Sequence, residues 1–520
     1  MLELFPTASA LAALALAIVY AAVNMKPRDG GIATLPGPMS SSWLYGNMRE
    51  LLLSTQYGAF EFAWQKTFGP VYRVKACFGR QRVLLADPQA MAHVLSSPDF
   101  EHTPTFEHTT ALVEGVLSLS YVQGGQHERI RGAMGPGFTP EAVQGYKPAL
   151  DHVASDLVDA LRKLSTVDSS LGADVCPSLS TATLGAVCRG VLGISVQDLG
   201  PDLLRTMAEM SAFASKTSPA KLLSDALASP ALLPLTSRLP KPPFSILRRL
   251  RQLSTALGQR VVVSQVNGQG AAVRSNLNVV GSIVSVQSFG EQLSLDELAG
   301  QTGRFLIAGT QSATNAMSFA LFELACDPDL QRRIRTELRD GNEDDAPLLT
   351  SLIKEILRFY PGVAISERIA LRNTTIPIPD SASQIPNTTR PLNIKRGEAV
   401  FIATSSYHRN VAVWGDDADQ FKPARWMDVD HAARPLMYGP YANLSTFLTG
   451  PRTCLGWRFL LLELHTLLAA VVRNFELRLP DGESRDAVGM KLTGTLGPVW
   501  VESGKKEVYL VVKELMSGTE

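Results

Sequence analysis

The residues best suited to chemistry lie in FLTGPRTCLG, residues 447–456. Cys454 stands two residues after Arg452, between Gly450 and Gly456, and directly ahead of an apolar run, LGWRFLLLELHTLLAAVVRNF, with a helical pattern. A thiolate is the form of cysteine that binds metals, and the free N–H groups and dipole at a helix N-terminus stabilise one. The two glycines let backbone approach a flat, bulky cofactor closely. Arg452 is placed to reach a carboxylate, and Phe447 to shield the sulfur from water. The pattern therefore predicts that Cys454 is a metal ligand, against the bland alternative of a buried structural cysteine. A nucleophilic role fits less well. Phosphatase-type loops place the arginine well after the cysteine, whereas Arg452 precedes it and Arg458 is the nearest one following. A histidine base is also out of reach, because His465 lies three helical turns along.

The elements that must position such a site come from the rest of the chain. Its 520 residues are 45% hydrophobic and 19% charged, with a formal net charge of zero. That composition is globular and excludes nucleic-acid binding through a broad basic surface. The five cysteines, Cys77, Cys176, Cys188, Cys326 and Cys454, are widely spaced and form no C-x-x-C pair. A disulfide framework and a structural zinc site are both disfavoured.

Residues 4–25 carry no charge, and ASALAALALAIVYAAV is almost wholly apolar. About 20 such residues cross a bilayer as a helix. Glu3 precedes the run, while Lys26 and Arg28 follow it, which favours an uncleaved anchor with the bulk of the chain in the cytosol. Glycosylation at the sequons of Asn373, Asn387 and Asn443 would place it in the lumen instead. The expected organisation is an anchor at 1–25, a basic and proline-rich linker at 26–40 ending in the stiff LPGP, and one catalytic domain at 41–520. VYRVKACFGRQRVLLADP reads as two β segments around a glycine turn. Helical patterns dominate from about 140 to 340, interrupted by the apolar, proline-rich stretch from Ser229 to Phe244. Strand-like sequence returns at 369–404, and helix after Cys454. The fold class is mainly α with a small β-rich portion.

With these elements in view, F-x-x-G-x-R-x-C-x-G resembles the haem-binding signature of the cytochrome P-450 family. Phe447, Gly450, Arg452, Cys454 and Gly456 fill its fixed positions. The resemblance implies the cytochrome P-450 fold and haem b, with Cys454 as the axial ligand of its iron. Further family landmarks follow in order across essentially the whole chain. KEILRFYP supplies Glu355 and Arg358, and FKPARW supplies Arg425; in the family these form a buried ionic network. Ala424 stands where the family usually has glutamate. GGQHERIRG resembles the segment that holds a haem propionate, which implies that role for His127 and Arg131. Arg368, in ISERIA, is the implied propionate partner beside Arg452.

The oxygen-activating helix of the family carries [AG]-G-x-[DE]-T, and here the stretch reads AGTQSAT. Ala308 and Gly309 are retained, so backbone room over the haem is kept, but Gln311 and Ser312 replace the acid and the threonine. Ser312 keeps a hydroxyl, whereas Gln311 cannot shuttle a proton as a carboxyl group does. Two consequences stay open. Protons arrive through Ser312, Thr310, Thr314 and water, leaving hydroxylation intact, or the chemistry has moved to an atypical oxidation, dehydration or rearrangement.

The resemblance implies a monooxygenase that inserts one atom of O2 into a lipophilic substrate. The H-x-x-x-R form and the length resemble fungal members that tailor terpenoids or other secondary metabolites. Electrons then come from NADPH through a separate membrane-bound NADPH–cytochrome P-450 reductase, docked near Arg458, with the enzyme held at the endoplasmic reticulum membrane. The Ser229–Phe244 stretch falls where the family has its access-channel loops. A non-catalytic haem protein is the remaining alternative, and the distal alcohols argue against it.

Overall fold

The computed structural model describes residues 31–165, 171–215, 218–219, 222–223, 244–268, 278–286, 293–341, 346–380, 388–427 and 439–515. The expected anchor, linker residues 26–30 and nearly all of the Ser229–Phe244 stretch lie outside the described residues. Among the described residues, no single helix is long and apolar enough to cross a membrane.

Cα packing separates two compact units. The described residues of the smaller fall within 31–108, 218–223 and 365–413. It is built on a five-stranded sheet of β1 (Val71–Lys75), β2 (Gln81–Leu85), β3 (Phe100–Glu101), β4 (Ser366–Ala370) and β5 (Ala399–Ile402), in the order β1-β2-β5-β4-β3. The expected glycine turn joins β1 to β2, with Phe78 and Gly79 both at positive φ. β1 and β2 pair antiparallel (Val71 opposite Leu85), and β2 pairs parallel to β5 (Val83 opposite Val400). β5 pairs antiparallel to β4, placing Arg368 opposite Val400.

LPGP lies against this sheet: the Arg73 N–H donates to Pro36 O at 2.8 Å. A Cβ on Gly37 would stand 1.9 Å from Arg73 O, so only glycine fits there. The helix Ala59–Phe68 brings a buried carboxylate, Glu61, which accepts the hydroxyls of Tyr57 and Ser406, each at 2.5 Å.

The described residues of the larger unit fall within 109–215, 244–364 and 414–515. Six of its helices position the site: α1 (Gly124–Met134), α2 (Lys147–Leu164), α3 (Cys176–Ala186), α4 (Thr302–Cys326), α5 (Pro347–Phe359) and α6 (Trp457–Asn474). α2 packs on α3 and α6, and α4 packs on the same two helices, so the four enclose a common core. The sequence dictates which faces meet. Leu150, Val153, Ala154, Leu157, Val158 and Leu161 recur at helical spacing along α2 and are all buried. Each large aliphatic among them contributes about 1.5–3 kcal/mol on burial.

α4 is different, because every residue from Ala313 to Ala325 is buried, which marks a helix surrounded by others. Just before that run, Ile307 to Ser312 are all half-buried. The helix is continuous there, so these residues are partly open while remaining helical. A hairpin of strands Val488–Thr493 and Thr495–Trp500 is tied to α4, where the Asn315 amide donates to Leu496 O at 2.8 Å.

Candidate active site

The Cys454 loop is set by its backbone. The Cys454 N–H donates to Phe447 O at 2.9 Å, and the Thr453 hydroxyl donates to Gly450 O at 2.7 Å. Gly450 takes φ 73°, which a glycine adopts freely, and Leu448 takes φ 56°, which costs a side-chain-bearing residue energy. The neighbouring Thr446 hydroxyl donates to Leu357 O at 2.6 Å and so ties the loop to α5. Phe447 is buried, its ring centroid 6.3 Å from that of Trp457.

The chain then turns into α6 with Gly456 at its N-cap. Cys454 is exposed, while the protein packed around its sulfur pushes the thiol pKa up. The Gly456 N–H hydrogen bond and the positive fields of Arg304 and Arg131 pull the other way. That is the helix N-terminal environment the sequence implied: donors and cations gathered on a sulfur that a metal would hold as an anion.

Three basic residues cluster close by. His127 is buried in α1, and its pKa falls to about 4, first through burial and then through Arg452 and Arg131. It is therefore a neutral imidazole at physiological pH. Arg131, one turn along α1, has its pKa lowered by burial and by Arg452, and raised by Cys454. Arg452 donates to Leu119 O at 3.1 Å and to Val122 O at 2.9 Å, which fixes the loop ahead of α1. The mutual repulsion within this set is what a dicarboxylate ligand would offset. The donor set thus fits haem: a single sulfur, bases for two propionates, and a partly open stretch of helix along Ile307–Ser312. Arg368 is buried in β4 of the smaller unit, and its Nη1 donates to Glu367 O at 2.9 Å.

On α4 the Ser312 hydroxyl donates to Ala308 O at 2.8 Å, one turn back. Its Cβ lies 3.4 Å from where a Cβ on Gly362 would stand. Gly309 packs on the continuation of α3, where an added Cβ would come within 2.6 Å of Val187 Cγ2. Gln311 is half-buried. The Thr310 hydroxyl is buried with no hydrogen-bond partner among the described residues. Thr314 sits deeper in the core: its hydroxyl bonds Thr310 O at 2.9 Å and shares a 2.7 Å bond with the Thr183 hydroxyl of α3.

Glu355, Arg358 and Arg425 do come together. Glu355 and Arg358 are both fully buried, and the guanidinium grips the carboxylate through Nε at 2.8 Å and Nη2 at 2.7 Å. Arg425 Nε adds a contact at 3.1 Å. Sequence reasoning missed three members. The Lys422 N–H and the Trp426 indole N–H also donate to Glu355, at 2.7 and 3.0 Å. Asp417 accepts Arg425 Nη1 at 2.9 Å, and the Lys422 ammonium beside it leads in holding its carboxyl down to about 2. The only signal was its place in WGDDADQFKPARW, which offers several acids and no way to choose among them.

A family model described as Cytochrome P450 matches residues 36–496. The chain is 27% identical over 489 residues to cytochrome P450 monooxygenase 128 of Postia placenta, covering 88% of each protein. It is 26% identical over 510 residues to cytochrome P450 monooxygenase claW of Ampulloclitocybe clavipes, covering 93% of each.

Proposed function

The chain belongs to the cytochrome P450 family and is a monooxygenase, and on that premise we propose that it oxygenates a lipophilic secondary metabolite of terpenoid type. The observation that carries the catalytic reading is the Cys454 sulfur, which is capped by the Gly456 N–H and lies in the fields of Arg131 and Arg304. Haem, when bound, supplies the activation of O2, and the protein supplies its pocket and electronics. Cys454 would ligate the iron, while His127, Arg131 and Arg452 would hold the propionates, joined by Arg368 as the family pattern implies. Ser312 and Thr310 carry the hydroxyls available to pass a proton. The Ser312 O–H donates to Ala308 O, a bond that rotation about χ1 would release, and the buried Thr310 hydroxyl has no partner among the described residues.

The replacement of acid and threonine by Gln311 and Ser312 keeps a second reading alive, an atypical oxidation or rearrangement with less need of protons. A Ser312→Ala enzyme decides between them. Under the first reading it consumes reductant at the usual rate but releases hydrogen peroxide in place of product; unchanged coupling favours the second.

Electrons are proposed to come from NADPH through a separate cytochrome P450 reductase. Arg458 is the candidate contact, and its guanidinium stacks 4.2 Å from the Trp457 ring centroid. Residues 1–25 are proposed to anchor the protein in the endoplasmic reticulum membrane with its catalytic part in the cytosol. The relatives come from fungi, and the terpenoid reading rests on the resemblance to tailoring enzymes of that group. The test is NADPH consumption with purified reductase across a panel of terpenoid scaffolds. Substrate-stimulated consumption with an oxygenated product is expected; consumption indifferent to every scaffold, with no product, would set the proposal aside.

A further inference from the structure

We propose that Arg304 is a specificity-determining residue that binds a carboxylate on the substrate, so that the natural substrate is a lipophilic acid. The inference rests on the monooxygenase reading and adds the chemical class of what the site accepts.

Arg304 lies on α4 one turn before Ala308 and two turns before Ser312, so the three share one face of the helix. Its guanidinium side chain is 43% exposed in a helix that is otherwise largely buried. The next residue, Phe305, has its ring centroid 6.4 Å from that of Phe138, which faces Gly456 at the head of α6. A half-open cation thus stands on the same face as the expected distal residues.

Arg304 is held in place and incompletely neutralised. Its Nη1 meets Glu114 Oε1 at 3.2 Å, a single-point contact rather than a paired fork. The other oxygen of Glu114 is taken by the Ser118 hydroxyl at 2.5 Å. The loop carrying Glu114 and Ser118 is clamped to the start of α4, where Gln301 accepts the Leu119 N–H at 2.9 Å and donates to Leu117 O at 2.7 Å. Glu114 itself is buried at 7% side-chain exposure, so the open side of the pair is the arginine. A planar guanidinium with donors to spare, in a place partly withdrawn from water, selects a planar acid. At 1.5 Å of rise per residue, Ala308 and Ser312 lie roughly 6 and 12 Å along the helix from Arg304. An acid gripped there would present carbons at about that distance from its carboxylate.

The same chemistry has a second source, a haem propionate, and the experiment separates the two. The probes are ω-imidazolyl alkanoates of increasing length, from hexanoate to tetradecanoate, each paired with its ω-imidazolyl alcohol. The imidazole anchors every probe at the iron whatever the natural substrate, and difference absorption gives the affinity. In the wild-type holoenzyme, the best-fitting length is expected to favour acid over alcohol at least ten-fold, about 1.4 kcal/mol. In Arg304→Gln the preference of acid over alcohol, both measured in the same protein, should fall to near unity. Glu114→Gln, which removes the competing carboxylate, should widen the preference. No acid preference at any length in the wild type, or one unchanged in Arg304→Gln, overturns the proposal. Loss of haem from Arg304→Gln also overturns it, assigning the guanidinium to a propionate. A wild-type protein lacking a thiolate-ligated haem spectrum would defeat the monooxygenase reading instead, and is recognised before any probe is added.

Discussion

Replacing Glu355 by glutamine removes one negative charge from a site with no solvent contact. The carboxylate accepts five hydrogen bonds: two from Arg358, one from Arg425, one from the Lys422 N–H and one from the Trp426 indole. With Asp417 the network holds two carboxylates against two buried guanidiniums, and the exposed Lys422 ammonium also pairs with Asp417. Glutamine keeps one oxygen and turns the other acceptor into a donor that faces arginine N–H groups. Asp417 is then the sole anion for two buried cations. Breaking one side of a buried pair costs about 3–5 kcal/mol, roughly a hundred- to several-thousand-fold in the folding equilibrium. That is a large share of the 5–15 kcal/mol typical of folded domains. Urea unfolding followed by circular dichroism, with Arg358→Met and the double variant completing the cycle, measures it. The double variant should cost less than the sum of the single ones, because it removes both charges together. A Glu355→Gln protein within 1 kcal/mol of wild type, or strictly additive costs, would refute the reasoning.

Four further outcomes follow from the same geometry. Asp417 has a depressed carboxyl pKa, so its ion pair stabilises the fold above the ordinary aspartate value and is lost as pH falls from 3.8 toward about 2; Asp417→Asn should flatten the acid limb of the unfolding midpoint against pH, and parallel curves would contradict this. Glu463, buried in α6 with Oε1 unpartnered among the described residues, has its pKa raised by burial. Its contribution is present below 4.5 and lost as pH rises toward the folded-state value, so Glu463→Gln should be the more stable protein at neutral and alkaline pH, and equal midpoints across that range would count against it. Thr314→Val severs the bonds to Thr310 O and Thr183, at about 1 kcal/mol each, and should lower the urea midpoint while leaving product per NADPH unchanged; uncoupled turnover would return Thr314 to the proton path. Asn373 is exposed in the smaller unit, and with the catalytic part in the cytosol it should carry no glycan, so a mobility shift on glycosidase treatment of protein from its native host would reverse the proposed topology.

The Cys454 loop was legible because its chemistry is compressed into ten residues whose spacing alone brings sulfur, glycine and arginine together. Glu355 and Arg358 were legible for a similar reason, being one helical turn apart. Asp417, the Lys422 N–H and the Trp426 indole were not, since their selection depends on how residues 414–426 wrap, which no local pattern encodes. The hydroxyl of Thr314 reads as a site residue in sequence, yet the helix phase turns it toward α3. The division into two units was also illegible. β2 pairs with β5 more than three hundred residues away, and alternation within a strand says nothing about its partner. The pairing of Arg304 with Glu114 spans 190 residues and had no local signature either.

The claim on which the rest depends is that the Cys454 sulfur holds haem iron as an anion, and the absorption spectrum of the reduced, carbon-monoxide-treated protein measures that bond directly. The wild-type chain should give the red-shifted Soret band of a thiolate-ligated complex, and Cys454→Ser should lose it. A wild-type protein without that band, or a serine variant that retains it, would contradict the account.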